Sequence, residues 1–548
     1  MSRTATRSSS GCSGRLACSR ATWTRPDAAP TRPSPWRGST ASTAGKRGAA
    51  ASGRACARPS RARRRRRTFR GSDRAGRRAR HAPAARALPA RYRSDACAPR
   101  RSGGRARSDR RRARRVPRDG DAVLDRARGS GADRLGRMSF VSHVECTVCG
   151  ARHDHRRPLT VCEKCGQMLA VRYDLDRAAA SVTKEQLATR QAGMYRFREL
   201  TPLDADEPPV TLGEGGTPLL PLPRLAAHLG LGRLWAKDEG QNPTGTFKAR
   251  GLGMAITRAR TLGATGFVIP SAGNAGGAAA VYAARAGLPV VVIVPRGTPP
   301  AAIAEAQIAG AHVFTLEGSI ATAGKVCAKV APLLRWFDLS TLKEPYRLEG
   351  KKTMGLELAE QLDWRMPDVL LYPTGGGTGL VGIPKGYDEL RGMKWIGGTF
   401  PKFFAVQAEG CAPVVKGFVE GAETTTAWEN PTTHAAGLRV PSPFAGRQML
   451  TLLRESGGGA VAVSETEIQD AQRLVARVEG IWTAPEAAAL VAALQRLRDA
   501  RTVTRDAEIV LVFTGAGIKN DPPPLGSPTD LTGSDEEIVD QVRRAVGR

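Results

Sequence analysis

An α/β fold is predicted, with doubly wound, mostly parallel sheets in two domains, and three observations carry the prediction. The runs 290–294 and 509–513 are continuously apolar, as strands covered on both faces are. Beyond residue 209, apolar or β-branched runs alternate with helix-like segments. Glycine-rich loops follow several of those runs, and in such sheets ligands bind where a strand's carboxyl end leads into a helix N-terminus.

From the N-terminus, the first element is not expected to fold. The 548-residue chain has a net charge of +33. Residues 1–137 hold 39 basic and 8 acidic side chains, leaving 45 basic against 43 acidic for the rest. This segment contains Lys46 as its only lysine and no Glu, Ile, Asn or Gln. It has too little apolar surface to offset chain entropy, so disorder is expected. Three readings stay open: a tail that binds phosphate backbones, an organellar transit peptide, or DNA read in an arbitrary frame ahead of a start at Met138. The choice of Arg over Lys favours the third. The near-neutral remainder rules out reading the whole chain as a basic protein, and no run of about 18 apolar residues exists to cross a membrane.

Residues 138–175 are expected to form a zinc-ribbon-like module. Of ten cysteines, Cys146, Cys149, Cys162 and Cys165 form C-x2-C-x12-C-x2-C, each pair followed by Gly150 or Gly166. Four thiolates at this spacing suit a closed tetrahedral zinc site, structural rather than catalytic because no position is open. Two disulfides, or a knuckle that has lost its metal, are the alternatives; a reducing compartment favours metal. His153 and His155 read as surface residues. Cys12, Cys18, Cys56 and Cys97 show no regular spacing, and Cys327 and Cys411 read as buried thiols.

A linker-like stretch at 200–209 leads into the core, which spans 176–522 and is followed by a C-terminal segment, 523–548. Strands are predicted at 266–269, 289–294, 312–315, 368–372, 404–408 and 508–513. Helices are predicted at 276–286, 300–309, 353–362, 380–390, 465–478 and 485–499.

Three loops concentrate the chemistry. In 242–251 (NPTGTFKARG), Lys248 lies among small and hydroxyl residues. If desolvated, its amine is neutral and able to attack an aldehyde; the bland alternative is a surface lysine in a turn. In 271–277 (SAGNAGG), Ser271, Gly273 and Asn274 can present N–H groups and a hydroxyl to a carboxylate, or simply form a strand-to-helix turn. In 373–380 (PTGGGTGL), Gly375, Gly376, Gly377, Thr378 and Gly379 make an anion nest suited to a phosphate. No GK[ST] ending follows, which argues against a Walker-type site.

Together these segments resemble the fold type II pyridoxal-phosphate enzymes, most closely the threonine synthase family, over about residues 145–519. NPTGTFKARG is similar to the family's NPTGSFKxRG box, SAGN to its SSGN loop, GGGTG to its phosphate loop, and TGAGIK at 514–519 to its TGxGxK end. The segments YRFREL (195–200), GEGGTP (213–218), PYRLEG (345–350), QAEGCAP (407–413) and GLRVP (437–441) point to the same branch. A paired-cysteine module also occurs there.

The resemblance implies that Lys248 carries pyridoxal 5'-phosphate and is the catalytic base. It implies that Asn274 and the 375–379 loop bind the cofactor, that Thr514 faces the pyridine nitrogen, and that Ser271, Gly273 and Asn274 hold the substrate carboxylate. It implies conversion of O-phospho-L-homoserine and water to L-threonine and phosphate by a cytoplasmic enzyme, a homodimer as relatives often are. Arg250, Lys237 and Arg439 are candidates for the substrate phosphate. Asp238 and Glu239 read as structural. Ala249, Gly276, Gly277 and Ala487 depart from the family pattern, and the two glycines are expected to loosen the substrate loop. Cysteate synthase and threonine ammonia-lyase, which share the lysine and the loops, are alternatives, as is, in a different class, a zinc-ribbon nucleic-acid binder.

Overall fold

The computed structural model describes residues 139–204 and 206–547. The expectations for residues 1–137, and for Cys12, Cys18, Cys56 and Cys97 within them, lie outside the described residues.

The strands, in chain order, are β1 (Val141–Cys146), β2 (Arg152–His153), β3 (Leu169–Tyr173), β4 (Leu219–Pro221), β5 (Arg233–Asp238), β6 (Phe267–Pro270) and β7 (Val290–Pro295). They continue with β8 (His312–Leu316), β9 (Phe337–Asp338), β10 (Val369–Pro373), β11 (Lys402–Ala408), β12 (Gly459–Val463) and β13 (Glu508–Phe513). They form three sheets. A small antiparallel sheet has the order β2-β1-β3. A six-stranded sheet has the order β12-β11-β10-β13-β5-β4, parallel except that β4 runs against β5. A four-stranded parallel sheet has the order β8-β7-β6-β9.

The apolar runs explain how helices cover both faces. Successive strand side chains point to opposite faces. Leu371, Phe404, Val406, Ile509 and Leu511 pack with the helices Glu465–Glu479 and Pro485–Asp499. Their neighbours Leu370, Tyr372, Phe403, Ala405, Val510 and Val512 pack on the other side with Tyr346–Gln361, Thr378–Gly392 and Gly446–Glu455. The smaller sheet repeats the arrangement, with Phe267, Ile269, Val290 and Val292 on one face and Val268, Val291 and Ile293 on the other. Each fully buried Val, Leu, Ile or Phe among them contributes about 1.5–3 kcal/mol.

Most predicted elements lie within two residues of their observed bounds, and two, Pro485–Asp499 and Glu508–Phe513, coincide with them. Punctuation accounts for this. Ser464 closes a capping box with Glu467 at one helix start, Gly480 ends that helix in the left-handed conformation, and Pro485 opens the next. Other elements escaped the sequence reading. The helix expected at 353–362 begins at Tyr346, because the Glu344 carboxylate accepts the N–H groups of Tyr346 and Arg347 at 2.7 and 3.0 Å. That helix is buried nearly all round, so no amphipathic period marks its start. The helices Lys248–Thr261 and Ile320–Leu334 were not expected, since Gly251, Gly253, Gly324 and Pro332 lower helix propensity. In the C-terminal segment, the helix Asp535–Ala545 buries no side chain. No helix among the described residues is long and apolar enough to cross a membrane.

Candidate active site

A cavity of about 410 Å³ brings together the three glycine-rich loops. Lys248, Ser271, Gly273, Asn274, Gly375, Gly376, Gly377, Thr378 and Thr514 all line it. Gly379 does not; it lies beneath the loop, where a Cβ would run into the Tyr372 hydroxyl.

Lys248 is the first residue of its helix, directly after Phe247, whose N–H donates to the Thr514 carbonyl at 3.0 Å. The surface it retains faces the cavity. Burial, reinforced by the nearby Arg347 charge and opposed by Glu486, brings its pKa down to about 7. A neutral amine is therefore well populated near neutrality, as nucleophilic and base chemistry require.

Ser271 makes contacts within its own loop. Its hydroxyl donates to the Gly273 carbonyl at 2.8 Å and accepts the N–H of Gly276 at 2.8 Å. It shapes the loop ahead of the helix Asn274–Ala286. The Asn274 side chain stands at that helix start, on the cavity wall.

The phosphate-type loop requires its glycines. Gly377 has φ +76, and a Cβ there would run into the Met449 sulfur. A Cβ on Gly375 would strike the Gly437 carbonyl, and one on Gly376 would come within 2.9 Å of Thr341. The loop opens the helix Thr378–Gly392, whose free N–H groups suit an anion. An electrophilic aldehyde bearing a phosphate thus meets complementary groups: a neutral lysine and, in the same cavity, a backbone anion nest.

Two of the three expected phosphate-binding cations lie elsewhere. Arg250 is fully buried, with two contacts to Glu239 at 2.6 and 2.7 Å and two to Glu357 at 2.7 Å. Lys237 Nζ meets Glu357 at 2.8 Å and the Thr217 carbonyl at 2.6 Å. These charges neutralise one another, which leaves neither cation available. The structural reading of Glu239 agrees, and Asp238 accepts the Gly240 N–H at 3.1 Å. Arg439 does line the cavity. So do Arg347, Lys343, Lys325 and Lys519, which the sequence reading missed, and the buried carboxyl of Glu486, which accepts the Gly437 N–H at 2.7 Å. Arg347 falls inside the PYRLEG segment, so its position was visible although its role was not.

The chain matches the family model described as "Pyridoxal-phosphate dependent enzyme" over residues 210–515. A threonine synthase of Methanosarcina acetivorans is 36% identical over 405 residues, 74% of this chain and 98% of that protein. A threonine synthase of Methanocaldococcus jannaschii is 35% identical, with 68% of this chain and 92% of that protein covered. One from Halalkalibacterium halodurans is 31% identical over 64% and 98%. The chain belongs to the threonine synthase family of pyridoxal-phosphate-dependent enzymes. For this family the cavity contents have a chemical sense: the cofactor supplies an electron sink for a carbanion at the substrate Cα. Lys248 offers an amine to that cavity, and the 375–378 loop offers a backbone anion nest.

The four predicted metal ligands also come together. The sulfur atoms of Cys146, Cys149, Cys162 and Cys165 all lie within 4.8 Å of one another. The pairs Cys146–Cys165 and Cys149–Cys165 are 3.4 Å apart, and Cys149–Cys162 is 3.7 Å. Disulfide bonds of about 2.05 Å are not formed. Tetrahedral zinc with Zn–S near 2.3 Å would set sulfurs about 3.8 Å apart, so the donor set fits that ion. His153 and His155 are half-buried rather than surface residues, and the His155 carbonyl accepts from Arg258 at 3.1 Å. Cys327 and Cys411 are buried, as expected.

Proposed function

We propose that this enzyme is a threonine synthase that converts O-phospho-L-homoserine and water to L-threonine and phosphate. The observation that carries the reading is that Lys248, an anion nest and an Asn-containing loop line one cavity. Lys248 would hold the cofactor through its aldehyde, the cofactor would supply the electron sink, and the lysine amine would remove the substrate's Cα proton and then a Cβ proton. The Cγ–O bond breaks and phosphate leaves with its electron pair. A proton goes to Cγ, water adds its hydroxyl to Cβ, and Cα regains a proton. Asn274 and the N–H groups of the 271–276 loop hold the substrate carboxylate; Ser271 acts by shaping that loop. Thr514 is a neutral partner for the pyridine nitrogen. Arg439 and Arg347 supply positive charge for the leaving phosphate.

The catalytic core at 176–522 divides into two doubly wound domains, one about each large sheet. The four cysteines hold structural zinc. A cytoplasmic location and a homodimer rest on the family resemblance alone.

Visible absorbance tests the cofactor assignment. Reconstituted parent protein should be yellow, and borohydride should fix the cofactor to Lys248. A colourless parent, or trapping on another lysine, would overturn the site.

A further inference from the structure

Gly276 and Gly277 do not loosen the substrate loop; each admits a close contact. A Cβ on Gly276 would come within 2.8 Å of Val292 and 3.1 Å of Ser271. A Cβ on Gly277 would run into the Glu305 carboxylate. Glu305 belongs to the helix Pro300–Ile308, which packs on the helix Asn274–Ala286. Its Oε2 lies 2.6 Å from Lys519 Nζ. Lys519 follows β13, in the other large sheet, and lines the cavity. Neither residue makes another ion pair among the described residues. The Lys519 stem lies against Gly245, 3.1 Å from where a Cβ would stand, and Gly245 has φ +65. The Gly245 carbonyl accepts the Ala516 N–H at 2.9 Å, and Thr246 bridges to Gly515.

A continuous path therefore joins the loop at Asn274 to the segment that carries Lys248. It runs from Gly277 through Glu305 and Lys519 to Gly245. The ion pair is its only polar link between the two large sheets. Both side chains are mostly covered, 21% and 17% exposed, so solvent screens the pair only in part.

We propose that Glu305 and Lys519 are positioning residues that fix the carboxylate-binding loop relative to the lysine, and that glycine at 277 is the accommodation that lets this pair form. Neither side chain takes part in proton transfer. The pair sets the loop spacing that substrate meets on binding, so its loss weakens substrate binding more than it slows the chemical step. The kinetic form of this proposal rests on the threonine synthase reading.

The test is a set of coupled substitutions. Glu305→Gln and Lys519→Met should each raise KM for O-phosphohomoserine about five-fold with little change in kcat. The reciprocal swap, Glu305→Lys with Lys519→Glu, should return KM to within about two-fold of the parent. Gly277→Ala should raise KM in the parent and have no further effect beside Glu305→Ala, where the carboxylate is gone. A swap no better than the single variants would overturn the proposal, as would Gly277→Ala acting at full size beside Glu305→Ala. Amide hydrogen exchange over 271–277 is a readout independent of the reaction. It should rise in Glu305→Gln and fall back in the swap. If the protein made no threonine, this exchange pattern alone would decide, and unchanged exchange in Glu305→Gln would overturn the pair's role.

Discussion

The Tyr173 hydroxyl donates to Glu349 Oε2 at 2.7 Å, joining the last strand of the cysteine module to the helix that carries Arg347. Burial beside Glu349 and Glu389 holds the phenol well above its ordinary pKa, so it remains a donor. Glu349 also receives Lys352 at 2.5 Å and Lys385 at 2.9 Å. Burial opposes its ionisation, but the two ammonium groups outweigh it and hold its pKa below the usual value. Tyr173→Phe should therefore cost about 1–3 kcal/mol in denaturant unfolding, because a donor to a charged acceptor is lost. An unchanged midpoint would mean that the lysines satisfy Glu349 unaided.

Metal removal acts on the same junction. If the four sulfurs hold zinc as proposed, a strong chelator should release about one zinc per chain and lower the thermal midpoint. Cys149→Ser should have the same effect without chelator. Metal analysis by mass spectrometry checks this, and a full-length protein purified without zinc yet equally stable would contradict it.

Lys248 has a pH signature. Its folded pKa of about 7 lies below the usual 10.5, so the unfolded chain binds more protons between those values. The group's destabilising contribution is therefore greatest below about pH 7 and fades as pH rises towards 10.5. Apo Lys248→Met should be more stable than apo parent at pH 7, with the gap closing in alkali. In the parent apo protein, a limiting amine reagent should label Lys248 with a half-maximal rate near pH 7. Equal gaps at all pH values, or labelling that begins only above pH 9, would contradict this assignment.

Gly375→Ala should weaken cofactor binding by roughly ten-fold or more, because the new methyl meets the Gly437 carbonyl and the loop must open. Equilibrium titration of the visible band measures it. Arg250→Met should act differently: it leaves Glu239 without a cation and Glu357 with Lys237 alone, and should cost about 3–5 kcal/mol of stability. A change in KM for the phosphate ester without loss of stability would return Arg250 to the list of substrate contacts.

The two sheets were legible in the sequence because their central strands are buried on both faces. The runs at 290–294 and 509–513 lack the alternation of a half-exposed strand. The loops were legible because a lysine among small and hydroxyl residues is unusual and because Gly375 and Gly377 stand where a Cβ would clash. Charge roles were not legible. Arg250 lies within the lysine box and Lys237 shortly before it, yet both pair with Glu357 on a helix distant in sequence, and no local pattern announces that pairing. Arg347 and Glu486 reach the cavity from helices buried nearly all round, where the period that marks a face is absent. The expected looseness at Gly276 and Gly277 failed for a related reason: a glycine's meaning depends on the neighbour that fills its space, here Glu305.

The most direct test of the account is stoichiometry. Purified protein loaded with pyridoxal phosphate and given O-phosphohomoserine should release inorganic phosphate and form threonine in equal amounts, with both lost in Lys248→Ala. Phosphate release with 2-oxobutanoate and ammonia in place of threonine, or turnover that survives Lys248→Ala, would contradict it.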